Sequence, residues 1–409
     1  MRQIRFSIVM PMYNVEKYVG KAIQTILNQT YPAYELIVVD DCATDASATI
    51  VEEAFEAYRN QEIPGNATVS CKLVRQPENQ GVSEARNRGL MDATGDYILF
   101  LDPDDFVEKN LLEVLAEKIR IYTEANKKST ELRPDILVYA LSEEYYDSHE
   151  QVEPGYTKIH RLDKTNVDVS KSNLYIASDN VMNCDSPEKI QEIVKDLERE
   201  TMYGYPWNKA YNLKFLKESC VHFKKITHVE DILFNIQIFM EAKHVVVLPN
   251  VLYHYRNSGQ ARLTSKYLPE YFDLQKRRFQ AFIDQQRSWN SLDDRALEIE
   301  ANAYFRSFIS MMQREIDHLE TENESIKAVG GTVKSDAAIR KAVLEKARKE
   351  MDTDLFRILH KHVGGGKVAR ILYKPLASGK LELTYRRTRL IHYVRHHFSG
   401  LFMKLKQNR

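Results

Sequence analysis

Cysteine is scarce in this chain. Its 409 residues hold four, Cys42, Cys71, Cys184 and Cys220, with no C-x-x-C pair and no histidine at zinc-ligand spacing. Those spacings argue against a thiolate zinc site or a disulfide framework and fit reduced thiols in the cytoplasm. Net charge is missing too: 58 Lys and Arg balance 58 Asp and Glu. No global field therefore points to nucleic acid as a partner. No run reaches the roughly 20 apolar residues of a membrane span. The first residues enter a strand pattern at once, without the long apolar core and cleavage site of a secretory leader. The Gly-x-Gly-x-x-Gly turn of a dinucleotide fold is also absent; Met10-Pro-Met-Tyr-Asn-Val-Glu16 follows the first strand instead, which disfavours an NAD enzyme.

What the chain does have, 43% hydrophobic and 28% charged residues, suffices for two or three domains with cores. Its first third alternates apolar runs at 6–10, 34–40, 71–74 and 97–101 with helical patterns, such as Val19, Ala22, Ile23, Ile26 and Leu27. Strands alternating with helices predict an α/β fold with a doubly wound, mostly parallel sheet. The fourth strand delivers Leu101-Asp102-Pro103-Asp104-Asp105 ahead of a helical segment at 107–125. Ligands bind at the carboxyl ends of strands in open α/β sheets. Three carboxylates there without a basic residue among them call for a cation, and a divalent metal carrying a phosphate is the natural guest. Asp104 and Asp105 serve equally well on paper as caps for the next helix.

Five short motifs stand in register: Pro11-Met-Tyr-Asn14; Val38-Val-Asp-Asp41 with Thr44-Asp45; Asn79-x-Gly81; Ala85-Arg-Asn-x-Gly89; and Leu101-Asp-Pro-Asp-Asp105. In order and spacing they resemble family 2 glycosyltransferases of the GT-A fold, inverting enzymes that use nucleotide-sugar donors. The resemblance is dense over the first 125 residues and resumes at Trp207-Asn-Lys209 and His228-Val-Glu-Asp-Ile-Leu-Phe234. One departure is visible: Cys42-Ala43 replaces the Gly-Ser pair common after the paired aspartates.

The resemblance implies a function: transfer of a sugar from a UDP-sugar to a hydroxyl acceptor, a glycan or a lipid-linked one, in building a bacterial surface polysaccharide, teichoic acid or glycolipid. It implies a nucleotide site lined by Pro11, Tyr13, Asn14 and Glu16, with the Tyr13 ring under the base and Asp41 accepting from the uracil imide. Arg86 would offer its planar fork to the diphosphate, although a surface ion pair with Glu84 or Asp92 explains it as simply. Asp102, Trp207 and Lys209 would border the donor, Trp207 being as plausible in a core as under a pyranose. Mn²⁺ or Mg²⁺ would sit on Asp104, with Asp102 and His254 completing the shell, while a strand histidine is more often just packed. Asp231 would be the catalytic base and Glu230 its positioning partner, at a helix N-terminus that by itself accounts for two acids. A nucleotidyltransferase would want a Gly-rich basic triphosphate loop after the first strand, which Pro11 to Glu16 does not provide. A catalytically silent nucleotide-binding scaffold would need no base.

The catalytic domain is predicted over 1–268, with a nucleotide-sugar half at 1–125, an acceptor half at 126–268, and a polar variable insertion at 143–200. From 269 to 409 the chain turns helical: Leu297, Ala301, Tyr304, Phe308, Met312, Ile316 and Leu319 define one long amphipathic helix, able to pack on the catalytic domain or to pair copies of the chain as a homo-oligomer. Another helix is expected at 337–362. From Lys367 to Arg409 there are eleven Lys or Arg, three His and one acid, Glu382. Beyond Leu390, the residues Ile391, Val394, Phe398, Leu401, Phe402 and Leu405 share one helical side. The tail at 366–409 thus reads as a basic interfacial helix for an anionic membrane surface, with an ordinary packed helix as the alternative. The resulting expectation is a cytoplasmic protein that is peripheral on the inner face of the membrane.

Overall fold

The computed structural model describes residues 3–60, 69–125, 133–146, 154–162, 181–257 and 267–397. The chain forms two compact units, Met1–Gln260 and Ala261–Arg409, so the division falls just before the predicted 268/269 boundary.

The first unit is built on apolar runs that become strands because both of their faces are covered. β1 (Phe6–Met12) is buried at every position, β2 (Tyr34–Asp40) at nearly every one, and β3 (Ser70–Arg75) lies at the edge, exposing alternate residues. With β4 (Tyr97–Phe100) they form a parallel block in the order β3-β2-β1-β4. The crossovers are α1 (Val19–Leu27), α2 (Ser47–Arg59) and α3 (Val82–Asp92). This half is the doubly wound sheet read from the sequence.

Beyond β4 the sheet is mixed. β9 (Lys209–Asn212) runs antiparallel between β4 and β6 (Ile136–Tyr145), and β6 pairs in parallel with β10 (Val245–Asn257). β5 (Phe106–Val107) closes the far edge against β10, and α4 (Leu111–Ala125) follows it, starting a turn later than the pattern predicted. β10 is a single strand with irregularities near Leu248 and Val251. The supposed insertion at 143–200 contains β7 (Tyr156–His160) paired to β6, β8 (Met182–Cys184) paired to β10, and α5 (Pro187–Arg199), whose N-cap is Ser186. Its residues 147–153 and 163–180 lie outside the described residues. α6 (Leu213–Glu218) follows β9 directly, and α7 (Glu230–Glu241) precedes β10.

The second unit is helical: α8 (Tyr271–Ser288), α9 (Asp294–Ala328), α10 (Asp336–Met351), α11 (Asp354–Leu359), α12 (Lys374–Ala377) and α13 (Leu381–His397). Every apolar residue used to predict the long helix lies in α9, which runs on to Ala328. The helix predicted at 337–362 is instead two, divided at Asp352 and Thr353, where the Thr353 side chain caps α11.

The tail expectation needs correction. Residues 366–397 belong to this bundle, because Leu372, Leu376, Leu381 and Tyr385 are buried in its core beside Phe308, Met312 and Leu344. Two of the tail's basic groups are also neutralised at home, Arg389 by Glu320 and His392 by Asp317 at 2.8 Å and Glu320 at 2.9 Å. Phe398, Leu401, Phe402 and Leu405 lie outside the described residues. No described helix is long and apolar enough to cross a membrane.

Candidate active site

α3 begins where Asp41 holds the preceding turn. The Asp41 carboxylate, at the end of β2, accepts from Gln76 Nε2 (2.8 Å), Gln80 N (2.7 Å) and Gly81 N (2.8 Å). Gly81 takes φ +92°, which a side chain would oppose. The helix then lies directly on the sheet: Ala85 is fully buried, and a Cβ on Gly89 would stand 2.2 Å from Val9 Cγ1. That close approach carries Arg86 into the interior.

Arg86 is 3% exposed, and its guanidinium binds three carboxylates: Asp102 at 3.0 Å, Asp231 at 2.5 Å and Glu230 at 3.5 Å. The first lies in the turn after β4, and the other two open α7. The ring of Phe223 lies 5.3 Å from the guanidinium carbon. The next residue, Asn87, grips Phe223 through both backbone groups, and Ser83 Oγ donates to Lys224 O, so α3 also fixes the loop leading to α7. In that loop His228 takes φ +90°, two residues ahead of Glu230, a strained conformation of the kind that gathers at functional sites.

This overturns the predicted role of Arg86. A guanidinium whose two terminal nitrogens already meet three carboxylates, and whose Nε is buried without a partner, is not presented to a diphosphate, and it is not the surface ion pair with Glu84 or Asp92 either. Burial works against the guanidinium charge, but Asp231, Asp102 and Glu230 raise its pKa above the ordinary arginine value. For Asp231, removal from water pushes the carboxyl well above its usual range; Arg86 opposes this, while Glu230 and Asp102 add to it. The Asp231 side chain keeps 26% exposure, enough for an incoming hydroxyl to meet it. Arg86→Met would leave three facing carboxylates without their counter-charge, and is expected to lower stability at neutral pH by about 3–5 kcal/mol. Part of the loss should return as pH falls and the acids take up protons. Urea unfolding at two pH values tests this; an unchanged midpoint at neutral pH would refute the assignment of Arg86 as the counter-ion.

The acidic turn after β4 divides its three carboxylates between tasks. Asp105 is 3% exposed and accepts from Tyr253 Oη (2.6 Å) and from Arg256 N (2.8 Å), so it holds the turn against β10. Burial, with Asp104 and Asp102 beside it, raises its pKa well above the carboxylate range. Asp102 has 24% side-chain exposure and shares Oδ1 with Arg86; Asp104 is partly exposed in the same turn. Two carboxylates of one turn match what Mg²⁺ takes from a protein when substrate phosphates complete its shell. Among the described residues, no group of three His, Cys, Asp or Glu side chains could hold a metal ion without such a substrate.

His254 does not join that set. Its Nδ1 meets Glu144 at 2.6 Å and Ser142 at 2.9 Å, its Nε2 meets Glu108 at 3.1 Å, and its ring stacks on Phe106. With both nitrogens occupied it is a packed imidazolium rather than a metal ligand. Burial alone would lower its pKa, yet hydrogen bonds to Glu108 and Glu144 raise it to about 9. A folded pKa above the unfolded value means that these pairs stabilise fully below about pH 6.5 and are lost as pH rises through 9, a change of about 3 kcal/mol. The stability difference between wild type and His254→Gln should therefore shrink from pH 6 to pH 9.5 in urea unfolding; a constant difference would show the histidine to be uncharged.

Trp207 and Lys209 also differ from expectation. Trp207 is 2% exposed and stacks with Tyr205 (4.4 Å), Tyr253 (4.2 Å) and Tyr255 (5.6 Å), so no sugar reaches its faces. Lys209 is fully buried and donates to Met202 O, Tyr205 O and Asn208 Oδ1 at 2.9, 2.6 and 2.8 Å, which uses all three of its N–H groups on the chain. Burial drives its pKa well down, and only Asp231 pulls it back.

At the same carboxyl end of the parallel block, the loops after β1 and β2 are tied together. Asn14 Oδ1 accepts from Thr44 N, Glu16 Oε2 accepts from Ala46 N, and Glu16 N donates to Asp45. Pro11 is buried within β1, and Tyr13 stands 45% exposed above the ends of the strands. Cys42 adopts φ +63°, which explains why the resembled pattern prefers Gly there.

A parallel nucleotide-type block, an acidic turn at the end of its fourth strand and a second acid pair facing that turn across one arginine define the glycosyltransferase type of α/β protein. Residues 7–125, from β1 through α4, match the family model "Glycosyl transferase family 2". Over 252 residues it is 29% identical to glycosyltransferase GlyA of Streptococcus pneumoniae, covering 62% of this chain and 30% of that protein. Over 275 residues it is 26% identical to the poly(ribitol-phosphate) beta-N-acetylglucosaminyltransferase TarS of Staphylococcus aureus, covering 66% of this chain and 39% of TarS. The chain thus spans well under two thirds of either relative. The crystal structure of S. aureus TarS 1–349 in complex with UDP-GlcNAc superposes with a TM-score of 0.52 at 20% identity, over 96% of this chain and 92% of that one, which establishes the GT-A fold.

Proposed function

We propose that this protein is an inverting, metal-dependent glycosyltransferase. It moves a sugar from a UDP-sugar to a hydroxyl of a glycan or lipid-linked acceptor during assembly of a bacterial surface polymer. The observation that carries the reading is the single guanidinium of Arg86, which draws the turn of Asp102 and the acid pair Glu230–Asp231 together from elements far apart in the chain. A binding module has no need of a second acid pair held opposite the first.

In this reading the base of the nucleotide lies over Tyr13 near Asp41, and Asp102 and Asp104 would hold the divalent ion, which offsets the charge of the departing nucleoside diphosphate. Asp231 takes the proton of the acceptor hydroxyl, and its raised pKa brings it closer to the working pH, where a general base is most effective. Glu230 and Arg86 keep that carboxylate aimed. Attack from the side opposite the diphosphate inverts the anomeric carbon in one displacement, without a covalent enzyme intermediate. The relatives' names make UDP-N-acetylglucosamine the first donor to try.

The test is a panel of UDP- and GDP-sugars with Mn²⁺ or Mg²⁺, read by nucleotide release and melting temperature. A UDP-sugar should be hydrolysed slowly and should raise the melting point, by about 2.7 kcal/mol of stabilisation at a hundred times its dissociation constant. A chain that neither binds nor cleaves any nucleotide sugar is not this enzyme.

A further inference from the structure

Once the basic groups neutralised within the bundle are set aside, a cationic remainder is left on the helical unit. Residues 367–377 form one helical stretch, in which a π-helical turn at Ala369–Tyr373 runs into α12, and α13 follows after a short turn. The two arms direct Leu372, Leu376, Leu381 and Tyr385 into the core. Their other sides carry a mixture that the core does not use. In the first arm Lys367, Arg370 and Lys374 are exposed around Ile371, itself 54% exposed. In the second, Arg386 is exposed between Leu383 at 38% and Leu390 at 63%. Each set recurs at three- and four-residue spacing, so it occupies one side of its helix. Arg387, on that same side of α13, donates from Nη1 to Ile371 O and joins the two outer sides into one surface. Among the described residues, none of Lys367, Arg370, Lys374 and Arg386 has a carboxylate partner, and the one acid of the hairpin, Glu382, is held by Arg340 at 2.6 Å.

We propose that this outer face of the helix hairpin docks on an anionic lipid surface, with Ile371, Leu383 and Leu390 entering the headgroup layer and the four cations resting on the phosphates. Cations without acids beside them call for an anionic partner, and a charged leaflet attracts them across about a Debye length. The aliphatic side chains decide which anion. They gain only where an apolar layer lies beneath the charges, as in a bilayer, whereas nucleic acid presents phosphate and sugar on its outside. A second copy of the chain seated on the same face would set cation against cation. The inner sides of both arms are held by the bundle, so the face is formed before any lipid is met. It uses none of the residues of the candidate active site and stands apart from the sugar-transfer reading.

Cosedimentation of the full chain with vesicles tests the proposal, using phosphatidylcholine alone and phosphatidylcholine mixed with phosphatidylglycerol, each at low and high salt. Wild type should pellet with the mixed vesicles at low salt, lose most of that binding at high salt, and stay in the supernatant with phosphatidylcholine alone. Each exposed cation contributes about fivefold in partitioning, so the triple variant Arg370→Gln/Lys374→Gln/Arg386→Gln should bind about a hundredfold more weakly. Arg370→Lys/Arg386→Lys keeps the charge and should stay within about threefold of wild type. Ile371→Ser/Leu390→Ser leaves the charge unchanged and should lower binding about tenfold, through lost apolar burial in the headgroup layer. Lys109→Gln/Lys214→Gln/Lys243→Gln removes as much exposed charge from the first unit and should stay within about threefold. All these positions are exposed, so every variant should keep the wild-type melting temperature. Wild type that stays in the supernatant with mixed vesicles at low salt, equal losses in the two glutamine triples, or full binding by the serine pair would each overturn the proposal. Binding of labelled single-stranded RNA that is lost in the Arg370/Lys374/Arg386 triple while vesicle binding is kept would overturn it too, and would give the face to nucleic acid.

Discussion

Asp104→Asn is expected to lower sugar transfer by roughly three orders of magnitude and to weaken divalent-ion-dependent UDP binding in parallel, with the fold intact. The size follows from removing a main electrostatic partner of the leaving diphosphate. The choice of Asp104 follows from its neighbours. Asp105 is committed to Tyr253 and Arg256 N, and Asp102 gives one oxygen to Arg86. The third acid of the turn sits between these two anchored residues, so its position is set even though its side chain is partly exposed. Calorimetric titration of UDP with and without Mn²⁺ separates the outcomes. A variant that retains metal-dependent affinity would move the metal site away from this turn.

The contrast between Arg86 and the turn it binds shows which parts of such a site are legible in sequence. The turn was legible because strand, acids and following helix are contiguous, and the parallel block was legible because apolar runs alternate with helical spacing. Arg86 was visible as a residue but not as a counter-ion. Its partners lie 16, 144 and 145 positions away, and only the fit of Gly89 against Val9 shows that the helix sinks far enough to bury the guanidinium. The signal was present in Ala85-Arg-Asn-x-Gly89, since two small residues four apart mark a helix face that touches a sheet. Trp207 misled for the same reason: its stacking partners Tyr253 and Tyr255 arrive on a strand much later in the chain. The antiparallel insertion of β9 between β4 and β6 likewise leaves no hairpin turn to read.

The C-terminal tail illustrates a different gap. Amphipathic spacing establishes that a helix buries one face, without saying against what. Leu372, Leu376, Leu381 and Tyr385 answer that their face meets other helices of the same unit, and the acids on α9 neutralise basic groups that had suggested a membrane. A charge run is informative about partners only after the charges opposite it in the fold have been subtracted.

Asp231→Asn should reduce turnover by roughly 10²- to 10⁴-fold, the range for losing a general base, while UDP-sugar binding stays near wild type. The substitution preserves shape, and Glu230 and Asp102 remain to balance Arg86, so the cluster does not collapse. Stability supplies an independent check. The folded-state pKa of Asp231 lies above its unfolded value, so the folded chain holds more protons than the unfolded one between the two, and stability falls as pH rises through that interval. At neutral pH the ionised carboxyl is thus a cost that the asparagine does not carry, and the inactive variant should melt no lower than wild type. The same titration should appear in wild-type activity as an acid limb lying above the usual carboxylate range, and this limb should be missing from the residual activity of the variant. If Asp231→Asn instead loses UDP binding as steeply as turnover, the residue serves the donor, and the base must be sought at Glu230.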